Sequence, residues 1–175
     1  MDTKISNNEV LTDACLITDR LIALRNDRQR DILMRFFKTG AGEYGEGDEF
    51  LGIKVPVTRS VVKIVDKNLP LAETEQLLLS PWHEVRLCAL LILVEQFGRV
   101  ANRSDQESMK QRDAIVSFYL HHADQINNWD LVDASAPKII GRWLMCPTNL
   151  GKQRNIIDAL THSSHLWRQR ISMVC

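Results

Sequence analysis

Pro56, Pro70 and Pro81 each stand where a run of apolar residues spaced by threes and fours begins. Proline lacks the N–H that a helix interior needs, but it fits the first turn, where that donor has no intrahelical partner, so all three positions read as helix starts. The pattern is helical upstream too. Residues 10–37 carry Leu16, Ile17, Leu21, Leu24, Ile32, Leu33 and Phe36 at helical spacing, which predicts one or two amphipathic helices divided at Asn26 or Asp27. Residues 40–49 hold four glycines and four acids and read as a loop; with no Gly-Lys-Ser/Thr ending, and with acids that would repel it, this loop is no phosphate cradle. Phe50 to Pro56 re-enters the core and leads into a helix through Val65.

Further helices are expected at 70–79, at 80–98 with Gly98 as its end, at 104–122 and at 127–145, with a polar hinge at 123–126. Cys146-Pro147-Thr148 reads as a turn, followed by helices at 150–160 and 164–175. No hairpin signal or sustained alternation supports a strand. The expected fold is all-α, a single domain over 1–175 in which antiparallel helical pairs stack. Ser80-Pro81-Trp82-His83-Glu84-Val85-Arg86-Leu87 is echoed by Ser164-His165-Leu166-Trp167-Arg168-Gln169-Arg170-Ile171, with Arg86 and Arg170 84 residues apart. Two periods of about 42 fit the roughly 40–47 residues of HEAT-type helix pairs, which stack into a curved solenoid.

Among these helices, the one opening at Asn127-Asn128-Trp129-Asp130-Leu131-Val132-Asp133-Ala134-Ser135-Ala136-Pro137 stands apart. An asparagine supplies the N-cap and Asp130 suits the positive end of the helix dipole. Trp129 and Asp133, four residues apart, share one face, and Asp130 is expected to point elsewhere. Pro137 cannot donate to the carbonyl of Asp133, so the helix should deform beside that carboxylate.

At 45% hydrophobic and 25% charged residues, the chain has the composition of a globular domain with a real core. Its longest apolar run, from Leu87 to Val94, is too short to span a bilayer, and its polar first ten residues lack a signal-peptide core, so a cytoplasmic protein without membrane attachment is expected. Cys15, Cys88, Cys146 and Cys175 lack the spacing of a disulfide framework or a zinc site. Net charge is zero, yet from Ser135 onward six basic residues, Lys138, Arg142, Lys152, Arg154, Arg168 and Arg170, face Asp158 alone. The zero total argues against a nucleic-acid partner, which usually shows as a basic surplus, and this C-terminal excess softens that argument.

Three segments give the chain a family likeness. Gly42-Glu43-Tyr44-Gly45-Glu46-Gly47-Asp48 leading into Phe50-Leu51-Gly52-Ile53-Lys54-Val55-Pro56, then Trp129-Asp130-Leu131-Val132-Asp133, then Leu166-Trp167-Arg168-Gln169-Arg170, together resemble the AlkD-type DNA alkylation repair family of HEAT-like helical repeats. The resemblance implies a glycosylase that removes cationic N3- or N7-alkylated purines from duplex DNA without a metal or cofactor. It implies Trp129 and Asp133 as the catalytic pair and Arg170 as a phosphate contact, and Lys138, Arg142, Lys152 and Arg154 are the further candidates for the DNA face. Similar family members continue for more helices, one of which adds an aromatic residue to the site. This chain stops five residues after Arg170, so missing C-terminal repeats, a loosely fixed Arg170, weakened catalysis and self-association through an exposed apolar end are expected.

The implied chemistry suits these residues. A cationic base leaves neutral, so no general acid is needed, and positive charge passes to the sugar, where one carboxylate stabilises it. A charge pair at about 4 Å in an effective dielectric near 20 is worth roughly 4 kcal/mol, on the order of a thousandfold in rate. Asp133 supplies that charge and can orient a water; Trp129 offers its electron-rich face to the cation. The competing readings are a non-catalytic helical scaffold that binds DNA or protein, and an Arg170 that forms a structural ion pair with Asp133. Trp82 and Trp167 read as packing residues, and His121, His122, His162 and His165 as hinge or cap residues.

Overall fold

The computed structural model describes residues 10–146 and 150–175. Described residues form helices α1 (Ala14–Ile22), α2 (Asp27–Phe36), α3 (Val55–Val62), α4 (Leu71–Leu78), α5 (His83–Val100), α6 (Gln106–His121), α7 (Trp129–Ala136), α8 (Arg142–Leu144), α9 (Leu150–Thr161) and α10 (Leu166–Val174). Extended pairing among them is limited to single bridges between Leu11 and Val65 and between Glu49 and Trp82. The fold is all-α, as the sequence indicates. Pro147 and Thr148 of the expected turn lie outside the described residues, as do residues 1–9. No described helix is long and apolar enough to cross a membrane.

Local chemistry sets most helix starts. Asp13, Asn26 and Asp105 accept the backbone N–H three residues on, which satisfies one of the orphan donors of a first turn. Pro56 lies in the first turn of α3 and Pro70 caps α4. Gly98 does not end α5, which runs to Val100. One glycine costs a helix only about 1 kcal/mol, and the buried Phe97 and Val100 on either side hold the last turn against the core.

Helix α5 is the hub. It packs against α3, α4, α6 and α7, and α7 in turn against α10. With Val85 through Leu93 buried on every side, α5 is a helix enclosed all round rather than an amphipathic one. Its buried polar residues therefore need partners, and they have them: Gln96 donates to the Leu69 carbonyl at 2.8 Å, and Glu84 accepts from the amides of Leu51, Gly52 and Ile53 at 2.8, 2.8 and 3.0 Å. Those three N–H groups belong to the segment between the glycine-rich loop and α3, so one carboxylate fixes the chain's return into the core. Gly52 has φ +83° there, and a side chain would collide with the carbonyl of Asn26, so two conditions demand glycine.

Helix α2 departs from expectation. Its spacing predicts a core-facing stripe, yet it has no buried residue, and Ile32 and Phe36 are 47% and 60% exposed. The neighbouring Phe37 is the buried one. The apolar side of this short helix, with Leu33, Phe36 and Phe37, borders a cavity rather than the packed interior.

Candidate active site

Helix α7 brings the site together. The side chain of Asn128 caps its first amide, that of Trp129, at 2.9 Å. Past Ala136 the chain widens into a π-type turn over Pro137–Gly141 before α8 resumes. This is the deformation that Pro137 predicts: without its N–H the carbonyl of Asp133 has no regular partner.

Trp129 and Asp133 both line an open cavity of about 580 Å³, with Leu33, Phe36, Phe37, Phe50 and Ile53 as its apolar wall. The indole of Trp129 stacks on Phe37, centroids 5.4 Å apart with 25° between planes, and meets the edge of Phe36 at 6.0 Å. One turn on, Asp133 accepts two hydrogen bonds from Arg170 of α10, Nε at 2.8 Å and Nη2 at 2.6 Å. This is the ion pair that competes with the phosphate-binding reading of Arg170, and the paired carboxylate raises the pKa of the guanidinium. Its two side chains are 39% and 38% exposed, so Asp133 is reachable from solvent while paired.

Lys138 lines the same cavity, and so do Lys54 and Arg59 of the α3 region. The other basic candidates stand elsewhere. Arg142 reaches Asn102 at 3.4 Å beside a separate hollow bordered by Met109 and Arg112, and Lys152 and Arg154 lie exposed on α9. Neither of these two lines the Trp129 cavity. Trp167 is buried, with Tyr44 against its edge at 6.0 Å, and Trp82 carries Arg25 over its ring; both are packing residues.

Sequence reading missed a buried polar cluster behind the cavity. His83, 1% exposed, lies between two carboxylates, with Nδ1 3.2 Å from Asp48 and Nε2 2.9 Å from Asp130. Asp130 does not point away, as expected, but turns inward to the imidazole and lines the cavity beside Asp133. Asp48 also accepts from Arg86 Nη2 at 2.6 Å, Asn127 Nδ2 at 3.1 Å and Asn128 Nδ2 at 3.3 Å, which fills the roughly four acceptor sites of a carboxylate. Burial alone would raise the pKa of Asp48, but the His83 hydrogen bond and the Arg86 charge hold it below the ordinary value. For His83, burial works against the cation, yet hydrogen bonds to Asp130 and then Asp48 outweigh it and raise its pKa. In the sequence the members of this cluster stand in three separate segments: the Ser80 to Leu87 echo with His83 and Arg86, the glycine-rich loop with Asp48, and the start of α7 with Asn127, Asn128 and Asp130.

The described residues contain no cluster of side chains fit to hold a metal ion. What they define is an all-α protein with an open aromatic cavity that presents carboxylates beside basic side chains. The family described as DNA alkylation repair enzyme matches the chain over residues 17–175, and the chain belongs to that family. No curated protein and no solved structure matches it. Family membership gives the chain a role in DNA alkylation repair.

Proposed function

We propose that this protein is a DNA glycosylase that excises cationic N3- or N7-alkylated purines from duplex DNA. The observation that carries the reading is the shared cavity: Trp129 and Asp133 face one hollow whose wall is aromatic and whose basic members are Lys54, Arg59 and Lys138. An alkylated purine meets a π-face suited to a cation, and its sugar meets a carboxylate. The bond from sugar to base breaks with its electron pair going to the base, which leaves neutral. Asp133 stabilises the oxocarbenium-like sugar, and water adds to the anomeric carbon as its proton is released.

Arg170 has two places in this scheme. In the free protein it forks Asp133; on DNA it turns to the phosphate beside the lesion, which leaves the carboxylate's charge free to act on the sugar. Lys54, Arg59 and Lys138 hold the backbone nearest the cavity, with Arg142, Lys152 and Arg154 as contacts further along. The helix pairs form a HEAT-like stack that reads the base without a deep pocket, in keeping with the openness of the cavity. A second reading, a non-catalytic DNA- or protein-binding scaffold, is favoured by the same fork, because a carboxylate held by a guanidinium can serve structure alone. Release of 7-methylguanine from alkylated DNA separates the two. Base release that falls on Asp133→Asn supports the enzyme; equal background release by wild type and variant leaves the scaffold.

A further inference from the structure

Both ring nitrogens of His83 face carboxylate oxygens, Asp48 on one side and Asp130 on the other. Ionised carboxylates only accept, so both nitrogens must donate, and only the imidazolium does that. The charges then balance: Asp48 and Asp130 against Arg86 and His83. A neutral ring would leave one N···O contact without a proton and the buried set one negative charge in excess, in surroundings where such an excess is costly.

We propose that protonated His83 is a positioning residue for Trp129 and Asp133, bridging the loop that carries Asp48 to the first turn of α7 and so fixing the indole and carboxylate that face the cavity. Two routes connect them. Through hydrogen bonds, His83 holds Asp130, whose other oxygen accepts from the Leu131 amide at 2.8 Å, while Asp48 holds Asn128, the cap on the Trp129 amide. Through ring contacts, His83 stacks on Phe50 at 4.4 Å and lies against Phe37 at 5.1 Å, and Phe37 stacks on Trp129. Both routes from Trp129's first turn lead back to this one imidazole.

The charged groups around His83 are few. Asp48 comes from the loop and Asp130 from α7; on its own helix Arg86 faces Asp48, and Glu84 is turned to the amides of Leu51, Gly52 and Ile53. Phe37 and Phe50 contribute uncharged rings, and Lys54, Arg59, Asp133 and Lys138 share the cavity border. Raised by Asp130 and Asp48 against its burial, the ring keeps its proton at pH values where a solvent-exposed histidine has lost it. Above its midpoint the bridge opens and the first turn of α7 loosens.

The role of α7 in base excision rests on the proposed function; the coupling between His83 and Trp129 does not. The test is therefore a pH titration by NMR of the full chain, following the 15N shifts of the His83 imidazole and the indole N–H of Trp129, alongside single-turnover base release. His83 is expected to be a cation with both nitrogens protonated below neutral pH, and the Trp129 signal to change with the same midpoint. In Asp130→Asn, which keeps the shape of the side chain, both midpoints should fall together by about one to three pH units. The single-turnover rate should fall above that midpoint while affinity for undamaged DNA holds. A neutral His83 at pH 6, a Trp129 signal that does not titrate, or one whose midpoint stays put when that of His83 moves overturns the proposal. Absence of base release at every pH, with Trp129 still following His83, overturns the glycosylase reading alone.

Discussion

Arg170 grips Asp133 with two hydrogen bonds of 2.8 and 2.6 Å across the α7–α10 contact, so the carboxylate we propose for catalysis is already half of an ion pair. Both side chains are more than one-third exposed, and such pairs contribute only about 0–1 kcal/mol to stability because solvent screens them. Arg170→Ala should therefore shift the urea unfolding midpoint little. If Arg170 moves to a phosphate on binding, the same variant should lower the slope of log affinity against log salt by about 0.9. A large loss of stability with an unchanged salt slope would make Arg170 a structural residue only.

Glu84 is the opposite case. It is buried and serves three backbone amides, so Glu84→Ala leaves three buried donors without partners. At about 1–3 kcal/mol for each unsatisfied group, the variant should lose about 3 kcal/mol or more and unfold at markedly lower denaturant. Glu84→Gln keeps one acceptor oxygen and should fall between the two. Equal stability of Glu84→Ala and wild type would contradict the place assigned to this side chain.

Stability should also depend on pH in a defined way. His83 has its pKa raised on folding, so its contribution is complete below about 6.5, the unfolded value, and is lost as pH rises through the folded value. Asp48 has its pKa lowered, so its contribution is complete above about 3.9 and is lost as pH falls through the folded value. Denaturation at a series of pH values should thus show greatest stability between about pH 4 and 6.5. In Asp130→Asn the alkaline decline should shrink; an unaltered decline would assign it to other groups.

The basic residues divide by position. Lys54, Arg59 and Lys138 border the cavity, whereas Arg142, Lys152 and Arg154 do not. Charge removal at each of the first three should weaken binding to alkylated and undamaged DNA alike, with a loss of about 0.9 in salt slope per contact. Equal slopes for wild type and all three variants would move the DNA to another face.

The helices were legible because their starts are local events. Asn26, Asn128, Pro56 and Pro70 act on their own first turns, and the disturbance after Asp133 follows from the missing N–H of Pro137. The pairing of Trp129 with Asp133 needed only helical spacing. What spacing could not give was anything joined across the chain. The Asp48–His83–Asp130 bridge unites residues 35 and 47 positions apart, and the inward turn of Asp130 is set by a histidine on another helix. Phe36 reads as core in a periodic pattern, but it borders a cavity that exists only once α2, α3, α5 and α7 have come together. The expected exposure of the C-terminal segment holds for Met173 and Cys175 and not for Ile171, which is buried; the Cys175 thiol turns back to the Ile171 carbonyl.

The central claim is that Asp133, facing the Trp129 cavity, lowers the barrier to loss of a cationic base. Single-turnover release of 7-methylguanine from methylated duplex DNA, compared between wild type and Asp133→Asn at pH 6 and low salt, tests it most directly. The account predicts release by wild type above the spontaneous rate, and a rate for the variant lower by on the order of a thousandfold, as the loss of about 4 kcal/mol of charge stabilisation requires. Wild type and variant both releasing base at the spontaneous rate, with DNA binding intact, would contradict it.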